Sequence, residues 1–253
     1  MESLREQLEL LIDNLPDAEN LRSRVASLYS VYPFNEFEYV ISTLLGKKIL
    51  SLDEYHEMRD TYIERNLFLY IFEISGPRTF GESWAQGHLK ELVPELHKPS
   101  KKLDAKYSGE YDFYFDGAIR IEVKASRVVD SESQEPLYVK ALASDSTRPF
   151  WMNFQQIKPR CCDVFVWIAV WRDKIGYWVL SSYELEHHRA YSTGQHRGNT
   201  GEGQLHVRQD NIQDFKPFEA ASNNLGTAIR EAYQRERSAR ARRTTQRGQA
   251  KDH

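Results

Sequence analysis

At 253 residues, with 40% hydrophobic and 28% charged side chains, the chain holds enough apolar material for a full core. No apolar run approaches membrane-spanning length, and Met1-Glu2-Ser3-Leu4-Arg5-Glu6 lacks the plan of a signal peptide, so a cytoplasmic location is expected. The two cysteines are neighbours, Cys161 and Cys162, which excludes both a disulfide framework and a zinc pattern.

Residues 1–74 read as a helical region. Leu4, Leu8, Leu11, Ile12 and Leu15 recur at helical spacing until Pro16 ends the pattern. A second helix is predicted from Ala18 to Tyr32, and a third from Glu36 to Leu45 with Gly46 as its stop. Ser51-Leu52-Asp53-Glu54 has capping-box form and opens a long helix through Met58, Tyr62, Leu67 and Tyr70. The third and fourth helices, linked by Gly46-Lys47-Lys48, suit an ordinary αα-hairpin, a DNA-binding helix-turn-helix or a dimer contact.

After the break at Ser75–Gly81, helical spacing resumes from Ser83 to Leu96. Glu82 lies at the start of that helix, where a carboxylate either caps the first turn or, if the helix packs beside the next element, joins a site as an auxiliary ligand. The next element is the most informative. From Glu110 to Lys124, odd positions are apolar (Tyr111, Phe113, Phe115, Ile119, Ile121, Val123), while Glu110, Asp112, Arg120, Glu122 and Lys124 fall on even ones. Such alternation about Asp116-Gly117 predicts a β-hairpin with one buried face. For the apolar faces to coincide, odd must pair with odd, which requires an odd-length loop such as a type I turn closed by Gly117. That register gathers Asp112, Glu122 and Lys124 on one face. Two carboxylates held together suit a hard divalent cation such as Mg²⁺. An ammonium two residues beyond can reach an attacking water or a phosphate oxygen.

Arg148 to Lys158 is predicted helical, broken by Pro159, and leads into the continuous apolar run Asp163–Trp171, expected to be a strand buried on both faces. Gln155 on that helix is placed to hydrogen-bond a phosphate or an ordered water. Ile175–Leu180 is predicted to be an antiparallel partner strand, and Ser182–His188 a short helix. Residues 191–203, with four glycines, abandon all periodicity. Gln195, His196, Arg197 and Asn199 in this loop are candidate DNA contacts, since Gln, Arg and Asn make bidentate bonds to base edges. A short strand at Leu205–Arg208 and a helix from Glu219 to about Arg237 follow. The net charge is −3, but residues 230–253 carry eight Lys or Arg against three Asp or Glu, so this segment is +5 and the remainder −8. Residues 239–253 are expected to be a basic, disordered tail.

Asp112 followed by Glu122-Val123-Lys124 at the end of an apolar strand resembles the PD-(D/E)XK nuclease superfamily, most nearly its type II restriction endonucleases. The likeness spans about Ser75 to Ser181; Tyr111 stands where that motif has proline. It implies an α/β fold with a restriction-endonuclease-like core, a mixed β-sheet flanked by helices. That nuclease domain would span residues 75–238. It also implies that Asp112, Glu122 and Val123 hold Mg²⁺, and that Lys124, with Glu82 and Gln155 in support, serves catalysis. The expected activity is Mg²⁺-dependent, site-specific hydrolysis of double-stranded DNA by a homodimer, with a cognate DNA methyltransferase in the same restriction system. The alternatives are a repair or structure-specific nuclease of the same superfamily, or a non-catalytic DNA-binding protein.

Overall fold

The computed structural model describes residues 2–26, 33–74, 76, 79–194 and 202–249. The chain divides into two compact units. The first is built from Met1–Glu73, Ser133–Ser146 and Arg172–Lys174, and the second from Ile74–Glu132, Thr147–Trp171 and Ile175–His253. The helical region therefore recruits two short segments from inside the stretch that the sequence assigns to the nuclease domain.

The first unit carries α1 (Glu2–Ile12), α2 (Ala18–Ala26), α3 (Pro33–Gly46), α4 (Leu52–Arg65) and α5 (Leu69–Glu73). Leu8, Ile12, Leu15, Leu21, Val40, Leu44 and Leu50 form its core, which is the apolar stripe of the first three helices. The capping box forms, with Glu54 N–H donating to Ser51 Oγ at 3.2 Å and Ser51 N–H to Glu54 Oε2 at 2.8 Å. The helix it opens stops at Arg65 rather than running through Tyr70. There Asn66 turns its amide back onto the Tyr62 carbonyl (2.6 Å) and Phe68 N–H donates to the Arg172 carbonyl (2.8 Å), which diverts the chain into α5.

The second unit opens with a π-helical turn, Thr79–Trp84, that runs into α6 (Ala85–Leu92), shorter than the helix to Leu96 expected from spacing. Strands β1 (Phe113–Phe115), β2 (Ile119–Arg127), β3 (Val129–Asp130), β4 (Phe150–Ile157), β5 (Val164–Val170) and β6 (Ile175–Ser181) follow. Then come α7 (Ser182–Glu186), β7 (Tyr191–Thr193), β8 (Gly203–Arg208), β9 (Glu219–Ala220) and α8 (Leu225–Gln249). One mixed sheet has the order β1-β2-β5-β6-β9, with β2 and β5 parallel; the other, β3-β4-β8-β7, is antiparallel.

The hairpin has the predicted parity, Phe113 opposite Ile121 and Phe115 opposite Ile119. Its turn is different. Asp116 (φ 49°) and Gly117 (φ 68°) both adopt left-handed backbone, and Ala118 N–H donates to the Phe115 carbonyl at 3.1 Å. This is the sign pattern of a type I′ turn, whose twist matches that of the flanking strands.

The odd face of the mixed sheet meets helices: His88 of α6 bonds Tyr177 Oη at 2.7 Å, and Arg230 of α8 lies over the Phe115 ring. The even face meets the second sheet. Phe154 of β4 packs edge-on against Trp167, and Asn153 N–H donates to Ser126 Oγ at 3.1 Å. All seven residues of β5 are buried, as a strand covered on both sides requires.

Two further expectations are corrected. The connection from β2 to β5 contains no helix at Arg148–Lys158; that stretch forms β4. Phe150, Phe154 and Ile157 fit helical spacing, yet Met152 and Phe154 are buried while Trp151 and Gln155 face out, a period of two. The strand keeps its burial only through an irregularity at Gln155–Gln156, where Gln156 has φ 56° and the register shifts before Ile157. Similarly, residues 239–249 are not a disordered tail but continue α8. Arg240 explains why: its guanidinium donates to Glu236 Oε1 (2.7 Å) one turn back and to Asp163 Oδ1 (3.0 Å) at the start of β5.

Candidate active site

Asp112, Glu122 and Lys124 converge. The last backbone bond of the hairpin is from the Asp112 N–H to the Ile121 carbonyl (2.9 Å), and beyond it the Asp112 side chain takes over: its Oδ2 accepts the Val123 N–H at 2.9 Å. Glu122 and Lys124, on the even face of β2, form a nearly buried ion pair of 2.8 Å between Nζ and Oε1. Glu122 is 9% exposed, and its Oε2 is buried with no hydrogen-bond partner. In an extended strand a residue's N–H and C=O point to the same edge, so the Val123 carbonyl faces the side on which Asp112 lies.

Crowding two carboxylates away from water sets the electrostatics. Burial, reinforced by the charge of Asp112, pushes Glu122 up to about 7 against the opposing pull of Lys124. Burial also raises Asp112, although the Val123 N–H, Lys124 and Lys98 work the other way. Burial disfavours the Lys124 ammonium, but Glu122 and Asp112 outweigh it and its pKa is raised. A consequence follows for the metal-free protein. The folded state keeps the Glu122 proton to higher pH than the unfolded chain, whose Glu titrates near ~4.3, so stability declines as pH climbs from there through about 7. The loss is expected to reach about 4 kcal/mol at most. Melting curves in EDTA at pH 5 to 8 should show a steeper decline for the native chain than for Glu122→Gln; parallel declines would refute it.

The remaining predicted residues fare unevenly. The backbone of Glu82 lies in the π-helical turn, and its side chain is outside the described residues. Gln155 is exposed on β4 rather than on a crossover helix. Gln195, His196, Arg197 and Asn199 lie outside the described residues. Two contributors escaped sequence reasoning. Gln86 Nε2 of α6 donates to Asp112 Oδ1 at 2.5 Å, and Lys98 Nζ donates to Gln86 Oε1. Gln86 sits four residues after Glu82, one helical turn on, which is the only local signal for it. Lys98 has no signal in the sequence.

Among the described residues no group of three or more His, Cys, Asp or Glu side chains gathers that could by itself hold a metal. The set at hand is two carboxylates and a backbone carbonyl, all oxygen, with one carboxylate oxygen lacking any donor. Hard divalent cations such as Mg²⁺ are bound through one or two carboxylates with water and substrate completing the shell, so these residues fit. A groove of about 790 Å³ is lined by Glu110, Lys158, Arg160, Cys161, Glu186 and Arg243, among others. No family model matches the chain, and no curated protein matches it. Among the described residues no helix is long and apolar enough to cross a membrane.

Proposed function

We propose that the chain is a metal-dependent nuclease of the PD-(D/E)XK type that hydrolyses phosphodiester bonds in double-stranded DNA. One observation carries the reading: two carboxylates and an ammonium from the two arms of one hairpin meet at a strand edge, with a buried carboxylate oxygen left without a donor. The two carboxylates crowd against each other, and a shared proton or a bound cation relieves that repulsion.

In this reading Asp112, Glu122 and the Val123 carbonyl hold Mg²⁺. When bound, the ion lowers the pKa of water and neutralises charge on the scissile phosphate. The chain's residues do the rest. The Val123 N–H orients Asp112. Glu122 holds Lys124 protonated, with its ammonium beside the place where a phosphate oxygen and the attacking water meet. A groove with Lys158, Arg160 and Arg243 on its walls, interspersed with Glu110 and Glu186, offers three cations to a phosphate backbone. The β4 crossover departs from the helix that the resemblance implies, yet it leaves β1, β2 and the parallel β5 in place.

The restriction-type assignment, with its homodimer and partner methyltransferase, is the finer proposal; a repair nuclease or a non-catalytic DNA-binding protein are the rivals. Incubating sequenced plasmid with the chain and Mg²⁺, then mapping the ends, separates them. Discrete cuts at one short sequence are expected. Cuts confined to mismatches or ends favour repair, and binding with no cleavage in Mg²⁺ or Mn²⁺ refutes the nuclease reading. Because the cation occupies only the folded site, 10 mM Ca²⁺ should raise the melting temperature at pH 8, and Asp112→Asn should abolish that rise.

A further inference from the structure

Asp112 is held from two sides, and the second side has chemistry of its own. Gln86, in the first turn of α6, donates its amide N–H to Asp112 Oδ1 at 2.5 Å, while Val123 N–H takes Oδ2 at 2.9 Å. Which way the Gln86 amide faces is decided by its other neighbour. Lys98 has only donors, so it must meet Oε1, and the amide nitrogen must then face the carboxylate. Lys98 is in turn located by the backbone: His97 and Tyr114 exchange hydrogen bonds of 2.9 and 2.8 Å at the edge of β1, and Lys98 Nζ rests 4.9 Å from the centre of the Phe113 ring.

We propose that Gln86 and Lys98 are positioning residues that close the Asp112 Oδ1 side of the site with an oriented N–H and an ammonium, so that it accepts a single divalent cation between Asp112, Glu122 and the Val123 carbonyl. The inference rests on the metal-dependent nuclease reading. Asp112 Oδ1 is already filled: the described side chain that meets it from α6 is an amide, with the Lys98 ammonium behind it. Among the described side chains, the ionised site sets two carboxylates against the Lys124 ammonium and the more exposed Lys98, which leaves little charge to attract a second dication.

The test is the stoichiometry of Mn²⁺ binding by the full chain without DNA, by calorimetry and by electron paramagnetic resonance of bound ion. The native chain is expected to bind one Mn²⁺. The double variant Gln86→Glu/Lys98→Met replaces the closing pair with a third carboxylate and removes the ammonium; it should bind two. Circular dichroism and a melting temperature close to the native value confirm that it is folded. Two ions on the native chain, or one on the folded double variant, overturn the proposal. A native chain that binds one ion yet cuts no DNA supports this inference while rejecting the nuclease activity, whereas a chain that binds no Mn²⁺ rejects both.

Discussion

Lys124→Ala is expected to lower Mg²⁺-dependent plasmid cleavage by about 10²–10³-fold while leaving DNA affinity in Ca²⁺ within about twofold of the native value. The split follows from where the ammonium sits. Lys124 is nearly buried against Glu122 Oε1, at 2.8 Å, so it contributes little to the surface that a duplex first meets. Its charge matters where a phosphate oxygen gathers negative charge in a site with little water, and there one well-placed donor is worth several kcal/mol, of the order of 3–4. Loss of Lys124 also removes the partner that holds Glu122 below an even higher pKa, so the pH profile of any residual activity should shift upward. Single-turnover cleavage, with binding measured separately in Ca²⁺, distinguishes this from unfolding. Equal loss of binding and cutting would show that Lys124 is a structural or DNA-anchoring residue.

The second large effect belongs to Asp163, at the head of β5. Its carboxylate is 3% exposed and accepts from Arg120 Nε (3.0 Å), Arg120 Nη2 (2.9 Å), the Arg120 backbone N–H (3.1 Å) and Arg240 Nη2 (3.0 Å). It ties together the head of β2, the head of β5 and the last turns of α8. Asp163→Ala strands a half-buried guanidinium and removes the anchor of a helix end, so a loss of about 3 kcal/mol is expected. Arg240→Ala should cost no more than about 1 kcal/mol, because its guanidinium is half exposed and screened. Urea denaturation of both variants gives the comparison. A cost for Asp163→Ala no greater than for Arg240→Ala would mean that the cluster is solvated and holds nothing.

The hairpin and the buried strand show what a period can reveal. Parity alone required odd residues to pair with odd, because a one-residue slip would have put Tyr111, Phe113 and Phe115 in water, and Phe113 opposite Ile121 meets that requirement. The same parity placed Asp112, Glu122 and Lys124 together, so the heart of the candidate site was legible before any fold was known. β4 shows the limit. Phe150, Phe154 and Ile157 fit a helical spacing, and the choice fell to Phe154, which covers Trp167 from the second sheet, with a register shift bringing Ile157 in. The tail failed for a related reason: composition marks residues 239–249 as polar and basic, but cannot show that Asp163 and Glu236 wait for Arg240.

By itself, then, the order of residues determined the elements whose partners are near in the chain: the capped helix at Ser51, the parity of the hairpin and the run Val164–Val170. Alternation and capping are local, and each is enforced by solvent exposure or by backbone hydrogen bonds within a few residues. Tertiary structure alone decided that Gln86 and Lys98 flank Asp112, that β4 replaces a crossover helix, and that α8 is pinned between Arg230 and Arg243. Those outcomes depend on side chains 12 or more residues apart meeting in space, which no local pattern in the sequence records.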